Sequence, residues 1–252
     1  MSEGDQGSGV CLVVGAGDGL GASIAHAFAR EGLRVCVTRR PRNTESLDAL
    51  AEAIRAEGGE AYAFGLDARV EDDVAALIER IEREIGAIEV LVFNIGANVR
   101  FPVVETTTRV YSKVWEMAAL AGFLASREAA RGMIERGRGA ILFTGATASV
   151  RGGAGFSAFA GAKHALRALV QSLARELGPK DIHVVHLIID AGVDSEAIHA
   201  RMKAASGIDA KDIPPDSLTK TRSIAEAYWF AHQQAKDGWT HELDLRPAGE
   251  KW

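Results

Sequence analysis

The sequence predicts a single α/β domain, built on a doubly wound parallel sheet of about seven strands with helices on both faces. Short apolar runs alternate with longer segments of helical periodicity along the chain. Such runs suit strands that are buried on both faces of a parallel sheet. Repeated alternation of this kind requires right-handed crossovers, which place helices on both sides of the sheet.

Seven strands are expected in order along the chain, six in apolar runs and the last in a mixed segment. They are Val10–Val14, Arg34–Thr38, Ala61–Gly65, Val90–Phe93, Ala140–Thr144, His183–Ile189 and Trp239–Leu245.

Helices between these strands are predicted where apolar residues recur every three or four positions. Two more helices are expected late in the chain, over Ser195–Ser206 and Ile224–Lys236. The apolar stripes are Leu20, Ile24 and Phe28, then Val74, Leu77, Ile78, Ile81 and Ile85, then Leu166, Leu169, Val170, Leu173 and Leu177.

The domain is expected to span residues 10–252, after a flexible N-terminal tail over residues 1–9. A polar segment, Gly207–Thr219, separates the two late helices. Ligands of an open α/β sheet bind beyond the carboxyl ends of its strands. Residues 192–222 are therefore predicted to form a substrate lid, with an ordinary surface excursion as the alternative.

Charge and composition limit the partners. The net charge of −5 and the pI near 5.8 do not favour nucleic acid. No apolar run reaches the roughly 18–20 residues that span a bilayer. Met1–Gly9 lacks the features of a signal peptide, and Cys11 and Cys36 lie in apolar runs typical of buried, reduced thiols. These features predict a cytoplasmic protein without a membrane partner.

A glycine-rich loop joins the first strand to the first helix. Glycine allows a tight turn and the close approach of a pyrophosphate, and a helix N-terminus attracts anions. In this position the pattern predicts a dinucleotide site. The residues of the loop are Gly15, Gly17, Asp18, Gly19, Leu20 and Gly21.

From Val10 to Pro247 the sequence resembles the short-chain dehydrogenase/reductase family. The resemblance rests on four features: the spacing Gly15-x3-Gly19-x-Gly21, the segment Phe93-Asn94-Ile95-Gly96, Asp67 after the third strand, and Phe159-x3-Lys163.

The resemblance implies a Rossmann-type sheet with strand order 3-2-1-4-5-6-7 and a nicotinamide dinucleotide cofactor. It also implies a homo-oligomer, a dimer or tetramer, that pairs through the fourth and fifth helices. The residues that it assigns to cofactor contact, besides the glycine loop, are Arg39, Arg40, Asp67, Ala68, Asn94, Gly96, Lys163 and Val193. The small residues expected to permit close helix pairing are Ala158, Ala162, Ala165 and Ala168.

The end of the second strand predicts the choice of cofactor. NAD-binding proteins place a carboxylate there for the ribose 2′-hydroxyl, whereas arginine there suits the 2′-phosphate of NADP. This sequence has Arg39 and Arg40 and no carboxylate, which favours NADP(H). Asp18 in the glycine loop opposes a phosphate, so NAD(H) stays open.

The family normally carries a catalytic tetrad of Asn, Ser, Tyr and Lys, in which the tyrosine gives a proton to the alkoxide that hydride transfer creates. Here the matching positions are Ala118, Ala146, Phe159 and Lys163, so only the lysine is kept. The chain thus resembles an atypical subgroup with Phe in place of Tyr.

Several other side chains are candidates to replace the missing acid. Thr147 stands next to the vacant serine position and can orient a carbonyl, unless its hydroxyl caps its own loop. His186 is expected in the core, and His199 on a solvated helix. The carboxylates Asp190 and Asp194 follow the sixth strand, as substrate contacts or loop caps.

Three functions remain open at the level of sequence. The first is an NAD(P)(H)-dependent oxidoreductase of a small carbonyl or alcohol, in which water or a substrate group supplies the proton. The second is a catalytically silent nucleotide-binding protein, acting as a sensor or as an oligomer partner. The third is a lyase or isomerase on the same scaffold, since the fold alone does not decide.

Overall fold

In the computed structural model, which describes residues 9–250, seven parallel strands form the predicted sheet. The strand order is β3-β2-β1-β4-β5-β6-β9, and the doubly wound α/β fold is confirmed. Of the predicted tail only Gly9 falls within the described residues. The strands of this sheet are β1 (Val10–Val14), β2 (Arg34–Arg39), β3 (Ala61–Gly65), β4 (Ile88–Phe93), β5 (Gly139–Thr144), β6 (Ile182–Ile189) and β9 (Glu242–Leu245).

Two groups of helices cover the two faces of the sheet, each through its own apolar core. On one face α3 (Glu71–Glu84), α5 (Ala121–Arg136) and α6 (Ser157–Leu177) pack on the strands. The opposite face carries α1 (Leu20–Arg30), α2 (Thr44–Ala56) and α8 (Thr221–His232). The remaining helices are α4 (Thr108–Trp115) and α7 (Glu196–Ser206), and the π-helical turn Glu116–Leu120 joins α4 to α5.

The strand order reverses at β1, which pairs with β2 on one side and with β4 on the other. The loops after β1 and β4 therefore separate at the carboxyl edge of the sheet. Such a switch point opens a crevice in a doubly wound fold, and it locates the candidate site.

The predicted boundaries of two late elements were wrong. The last strand begins at Glu242 rather than Trp239, because Trp239 stacks on His183 at 4.7 Å and Gln234 bonds the backbone N–H of Thr240. The helix expected over Ile224–Lys236 is α8, which begins at Thr221 and ends at His232.

A second, two-stranded sheet was not predicted. It pairs β7 (Gly192–Asp194) in parallel with β8 (Leu218–Lys220), at the two ends of the expected lid. Each strand has only three residues, too few for a periodic signal. Elsewhere the thiols of Cys11 and Cys36 are free and buried, as predicted. Within residues 9–250 no helix is long and apolar enough to span a membrane.

Candidate dinucleotide and substrate cleft

Two adjoining cavities, of about 1080 Å³ and 450 Å³, lie along the carboxyl edge of the sheet. The glycine loop and the end of β4 line both of them, so they form one cleft. We call the larger cavity the substrate end and the smaller one the adenosine end. Each of the fourteen residues predicted to contact the cofactor lines one or both cavities.

The glycines of the loop have two different surroundings. A Cβ on Gly15, whose φ is +99°, would lie 2.6 Å from the carbonyl oxygen of Asn94, and one on Gly21 would lie 2.6 Å from that of Gly15. Around Gly17 and Gly19 the nearest atoms would be 3.8 and 3.6 Å away. The first and last glycines therefore serve the packing of the loop, whereas the middle two leave a cradle toward the cleft.

This cradle stands before a helix N-terminus, because α1 begins directly after Gly19 without a side-chain cap. The N–H groups of an uncapped first turn and the helix dipole suit an anion. A Cβ on Gly96 would likewise meet no atom within 4 Å. The shape and the electrostatics of the loop fit the pyrophosphate of a dinucleotide.

Charged side chains surround the adenosine end. The guanidinium of Arg39 donates to the hydroxyl of Ser46 at 3.0 Å and to the carboxylate of Asp18 at 3.4 Å. Asp67 accepts two hydrogen bonds from the guanidinium of Arg69, which holds the pKa of its carboxyl below the usual value. Asp18 thus lies beside Arg39, and its charge partly offsets that of the arginine.

Lys163 projects from α6 into the substrate end and is only 2% exposed. Its ammonium donates to the carbonyl oxygen of Thr144 at 2.8 Å and, more weakly, to that of Ile95 at 3.5 Å. Burial lowers the pKa of Lys163 to about 8. An ammonium has three N–H donors, so one is left for a ligand in the cleft.

The ring of Phe159 lies one helical turn before Lys163, with its centroid 6.0 Å from the ammonium nitrogen. Phe159 and Ala146 both line the substrate end. Ala118 does not. It lies in the π-helical turn that joins α4 to α5, fully buried in the apolar cluster that includes Phe159 and Ala162. Its match to the family's asparagine position stays a prediction.

The other candidate acids have different positions. Thr147 lines the substrate end, and Asp194 lines it while accepting a hydrogen bond from His199 at 2.7 Å. Asp190 is buried outside the cavity lining and forms ion pairs with Arg151 at 3.3 Å and Arg246 at 3.1 Å. A role for Asp190 as a substrate contact is thus not supported. Its two arginine partners indicate that the carboxylate has a structural role.

His186 is a core residue, as expected. It is fully buried, its Nδ1 lies 3.0 Å from a carboxylate oxygen of Glu242, and Arg167 bonds both oxygens of that carboxylate. Burial lowers the pKa of His186 to about 4, and the Arg167 guanidinium lowers that of Glu242 to about 2. The imidazole is therefore neutral near pH 7.

Residues that the sequence did not single out complete the substrate end. They are mostly small or apolar, and the short turn after β5 and the start of α7 supply many of them. The ring of Phe156 and the side chain of Ile198 face the same cavity as Phe159. The charged side chains of Arg151 and Glu196 also line this cavity, beside the apolar walls.

The small-residue face expected for helix pairing is partly occupied within the chain itself. Ala158 and Ala162 are buried against α4 and the π-helical turn, in the same cluster as Val114 and Ala118. They are thus not free for a partner. Exposed apolar residues stand instead on the outer sides of α4 and α5, among them Trp115 and Phe123.

Comparison with known proteins agrees with this architecture. The chain is 47% identical to a short-chain dehydrogenase from Rhodopseudomonas palustris, with a TM-score of 0.80 over 95% of this chain and 98% of that one. Actinorhodin polyketide ketoreductase, in a variant solved with NADPH, superposes with a TM-score of 0.86 over 95% of this chain and 96% of that one. At 24% identity, this second likeness shows the fold alone.

Zerumbone synthase from Zingiber zerumbet is 32% identical over 180 residues, which are 69% of this chain and 65% of that enzyme. The matched segment thus spans slightly under two thirds of that relative. Residues 9–204 match the family model described as short chain dehydrogenase. Together with the seven-stranded sheet and the glycine loop, this match shows that the chain belongs to the short-chain dehydrogenase family.

Proposed function

We propose that this protein is an NADP(H)-dependent oxidoreductase of a small carbonyl or alcohol, working without the usual tyrosine acid. The observation that carries the proposal is the continuous cleft from Arg39 at the adenosine end, past the glycine loop, to Lys163 at the substrate end. Its position and its donors match a dinucleotide that lies across the switch point of the sheet.

Preference for NADP(H) rests on the end of β2. Arg39 and Arg40 line the adenosine end, and a guanidinium fork matches the geometry of a phosphate. Asp18 does not remove this preference, because its carboxylate is already paired with Arg39 and is largely exposed. NAD(H) remains the alternative cofactor that the titration below distinguishes.

The nicotinamide cofactor supplies or accepts the hydride when it is bound. The residues of this chain then have three tasks. Lys163 holds ribose hydroxyls through its remaining N–H donor, Thr147 orients the substrate oxygen, and the Phe159 ring forms part of the apolar wall beside the substrate. In the direction of reduction, solvent or a substrate group delivers the proton, since phenylalanine has none to give. Losing general acid help slows such a reaction about 10²- to 10⁴-fold without forbidding it.

One observation favours a second candidate, a catalytically silent nucleotide-binding protein. Phe159 and Ala146 present no hydroxyl to the substrate end, although the glycine loop keeps its cradle. This combination retains affinity for a nucleotide and removes the groups that activate a carbonyl. A sensor or an oligomer partner needs only the first property.

Fluorescence titration with NADPH and NADH, followed by a screen of carbonyl substrates for loss of absorbance at 340 nm, tests both candidates. The oxidoreductase proposal expects tighter binding of NADPH and slow turnover of at least one neutral carbonyl. Binding without any turnover, in the wild type and in Phe159→Tyr, would leave the silent binder. Failure to bind either nucleotide would contradict both candidates.

Three further proposals accompany this function. Residues 192–222 act as a lid, supported by the contacts of Val193, Ile198 and Thr221 with the substrate end. The chain forms a homo-oligomer through the family's fourth and fifth helices, which correspond here to the continuous segment α4–α5 and to α6, and a monomer by light scattering would contradict this. A cytoplasmic location accords with the two unpaired thiols.

A further inference from the structure

We propose that Tyr228 is a positioning residue for the dinucleotide, which acts on the glycine loop through the side chains of Thr144 and Asn94. The inference rests on the dinucleotide binding proposed above. Tyr228 lines neither cavity, so its action on a bound nucleotide is indirect. It is one of three tyrosines in the chain, and none of them occupies the usual acid position.

Tyr228 lies on α8 with no exposed surface, and its hydroxyl is 2.5 Å from the hydroxyl of Thr144 at the end of β5. The Thr144 hydroxyl is in turn 2.9 Å from the amide oxygen of Asn94, just beyond β4. The amide nitrogen of Asn94 lies 3.0 Å from the carbonyl oxygen of Gly15. Three side chains thus connect a helix on one face of the sheet to the start of the glycine loop.

The donor and acceptor of each of these three hydrogen bonds follow from the bond to Gly15. A carbonyl oxygen only accepts, so the NH₂ group of Asn94 must face Gly15. The amide oxygen of Asn94 then faces Thr144, whose single hydroxyl proton is donated to it. With that proton used, the hydroxyl of Tyr228 must donate to the oxygen of Thr144.

This direction explains why a tyrosine is needed where the surroundings are apolar. A buried hydroxyl without a partner costs free energy, whereas a bonded one orders its neighbours. Burial raises the pKa of Tyr228, so the phenol keeps the proton that it donates. Phenylalanine would fill the same space but leave the Thr144 oxygen without its donor, which weakens the hydrogen bond that the Thr144 hydroxyl donates to Asn94.

This series of hydrogen bonds reaches the start of the glycine loop and Lys163, which together are proposed to hold the cofactor. At Gly15 the backbone has a positive φ, and Asn94 holds it both through its side chain and through an N–H donated to the carbonyl of Val14 at 2.8 Å. The backbone carbonyl of Thr144 accepts a hydrogen bond from the ammonium of Lys163. Thr144 therefore couples the loop for the pyrophosphate to the lysine for the ribose.

The test measures the NADPH dissociation constant of the full-length protein for Tyr228→Phe, at a temperature where circular dichroism shows wild-type folding. We expect an increase of about three- to tenfold, the range that one lost neutral hydrogen bond gives. Tyr62→Phe is the control, because it removes another tyrosine hydroxyl, bonded to Glu60 at 2.5 Å, outside the cleft. Its dissociation constant should stay within about twofold of the wild type.

A second pair of variants keeps the inference testable if Tyr228→Phe folds poorly. Thr144→Ser preserves the hydroxyl and should bind NADPH like the wild type, whereas Thr144→Val preserves only the shape and should bind about tenfold more weakly. A purely structural role would lower the melting temperature and leave the dissociation constant unchanged. Equal affinities within either comparison would overturn the inference, while a wild type that binds no nucleotide would refute the proposed function itself.

Discussion

The two ends of the cleft differ in what their side chains can do. At the adenosine end Arg39, Arg40 and Asp67 provide charge beside a glycine loop shaped for a pyrophosphate. At the substrate end Phe159 and Ala146 stand where the resemblance to the family leads one to expect hydroxyls, and Lys163 is the polar residue of the tetrad that is kept. The proposed function therefore separates two properties, the binding of a nucleotide and the transfer of a proton.

The strongest way to break the adenosine end is to fill its cradle. In Gly17→Ala the new Cβ lies 3.8 Å from the nearest protein atom outside the adjoining residues, so folding is unaffected, but the methyl group obstructs the pyrophosphate. We expect about a hundredfold weaker NADPH binding by fluorescence titration, since charge-assisted hydrogen bonds worth about 1.5–3 kcal/mol each are lost. Gly178→Ala, in open surroundings outside the cleft, is the control and should bind normally.

The arginine at the end of β2 is expected to distinguish NADPH from NADH at the adenosine end. Arg39→Ala should weaken NADPH about ten- to a hundredfold through the loss of charge-assisted bonds to the 2′-phosphate, with little change for NADH. Titration of both nucleotides against one preparation provides the internal control. Equal losses for the two nucleotides would refute the assignment of NADP(H).

At the substrate end the remaining charge is sensitive to pH. Because burial lowers the pKa of Lys163 to about 8, its ammonium is present below that pH and is lost as the pH rises through it. Affinity for NADPH should then fall about three- to tenfold between pH 7 and pH 9, the worth of about one hydrogen bond. Lys163→Met should show weak binding with no step near pH 8, and an unchanged step there would assign it to another group.

A last substitution affects stability and leaves both ends of the cleft intact. Glu242 has a pKa lowered to about 2, so its pairing with Arg167 stabilises the fold above the unfolded pKa near 4.5 and is lost as the pH falls toward 2. Glu242→Gln should lower the free energy of unfolding at pH 7 by about 1–2 kcal/mol, a value that already allows for solvent screening of this partly exposed pair. Chemical denaturation measures this, and the NADPH dissociation constant should not move.

Local patterns were sufficient to predict the sheet and the glycine loop. Runs such as Val10–Val14 are buried on both faces, and a short glycine-rich connection between a strand and a helix has few other uses. The expected strand order 3-2-1-4-5-6-7 agrees with the structure once β9 is counted as the seventh strand of the large sheet.

Long-range side-chain partners could not be predicted from the sequence. Tyr228 is 84 residues from Thr144, and no periodic pattern marks the bond between their hydroxyls. The ion pairs of Asp190 could not be predicted either, because Arg151 and Arg246 come from separate loops. The π-helical turn that contains Ala118 was likewise not predicted.

We propose that this protein keeps the nucleotide site and lacks the acid. Phe159→Tyr restores the hydroxyl, and NADPH affinity and carbonyl-dependent loss of absorbance at 340 nm are measured on both proteins. We predict an unchanged dissociation constant and a rate about 10²- to 10⁴-fold higher, the usual value of a general acid. An equal or lower rate in Phe159→Tyr, at equal affinity for NADPH, would contradict the account.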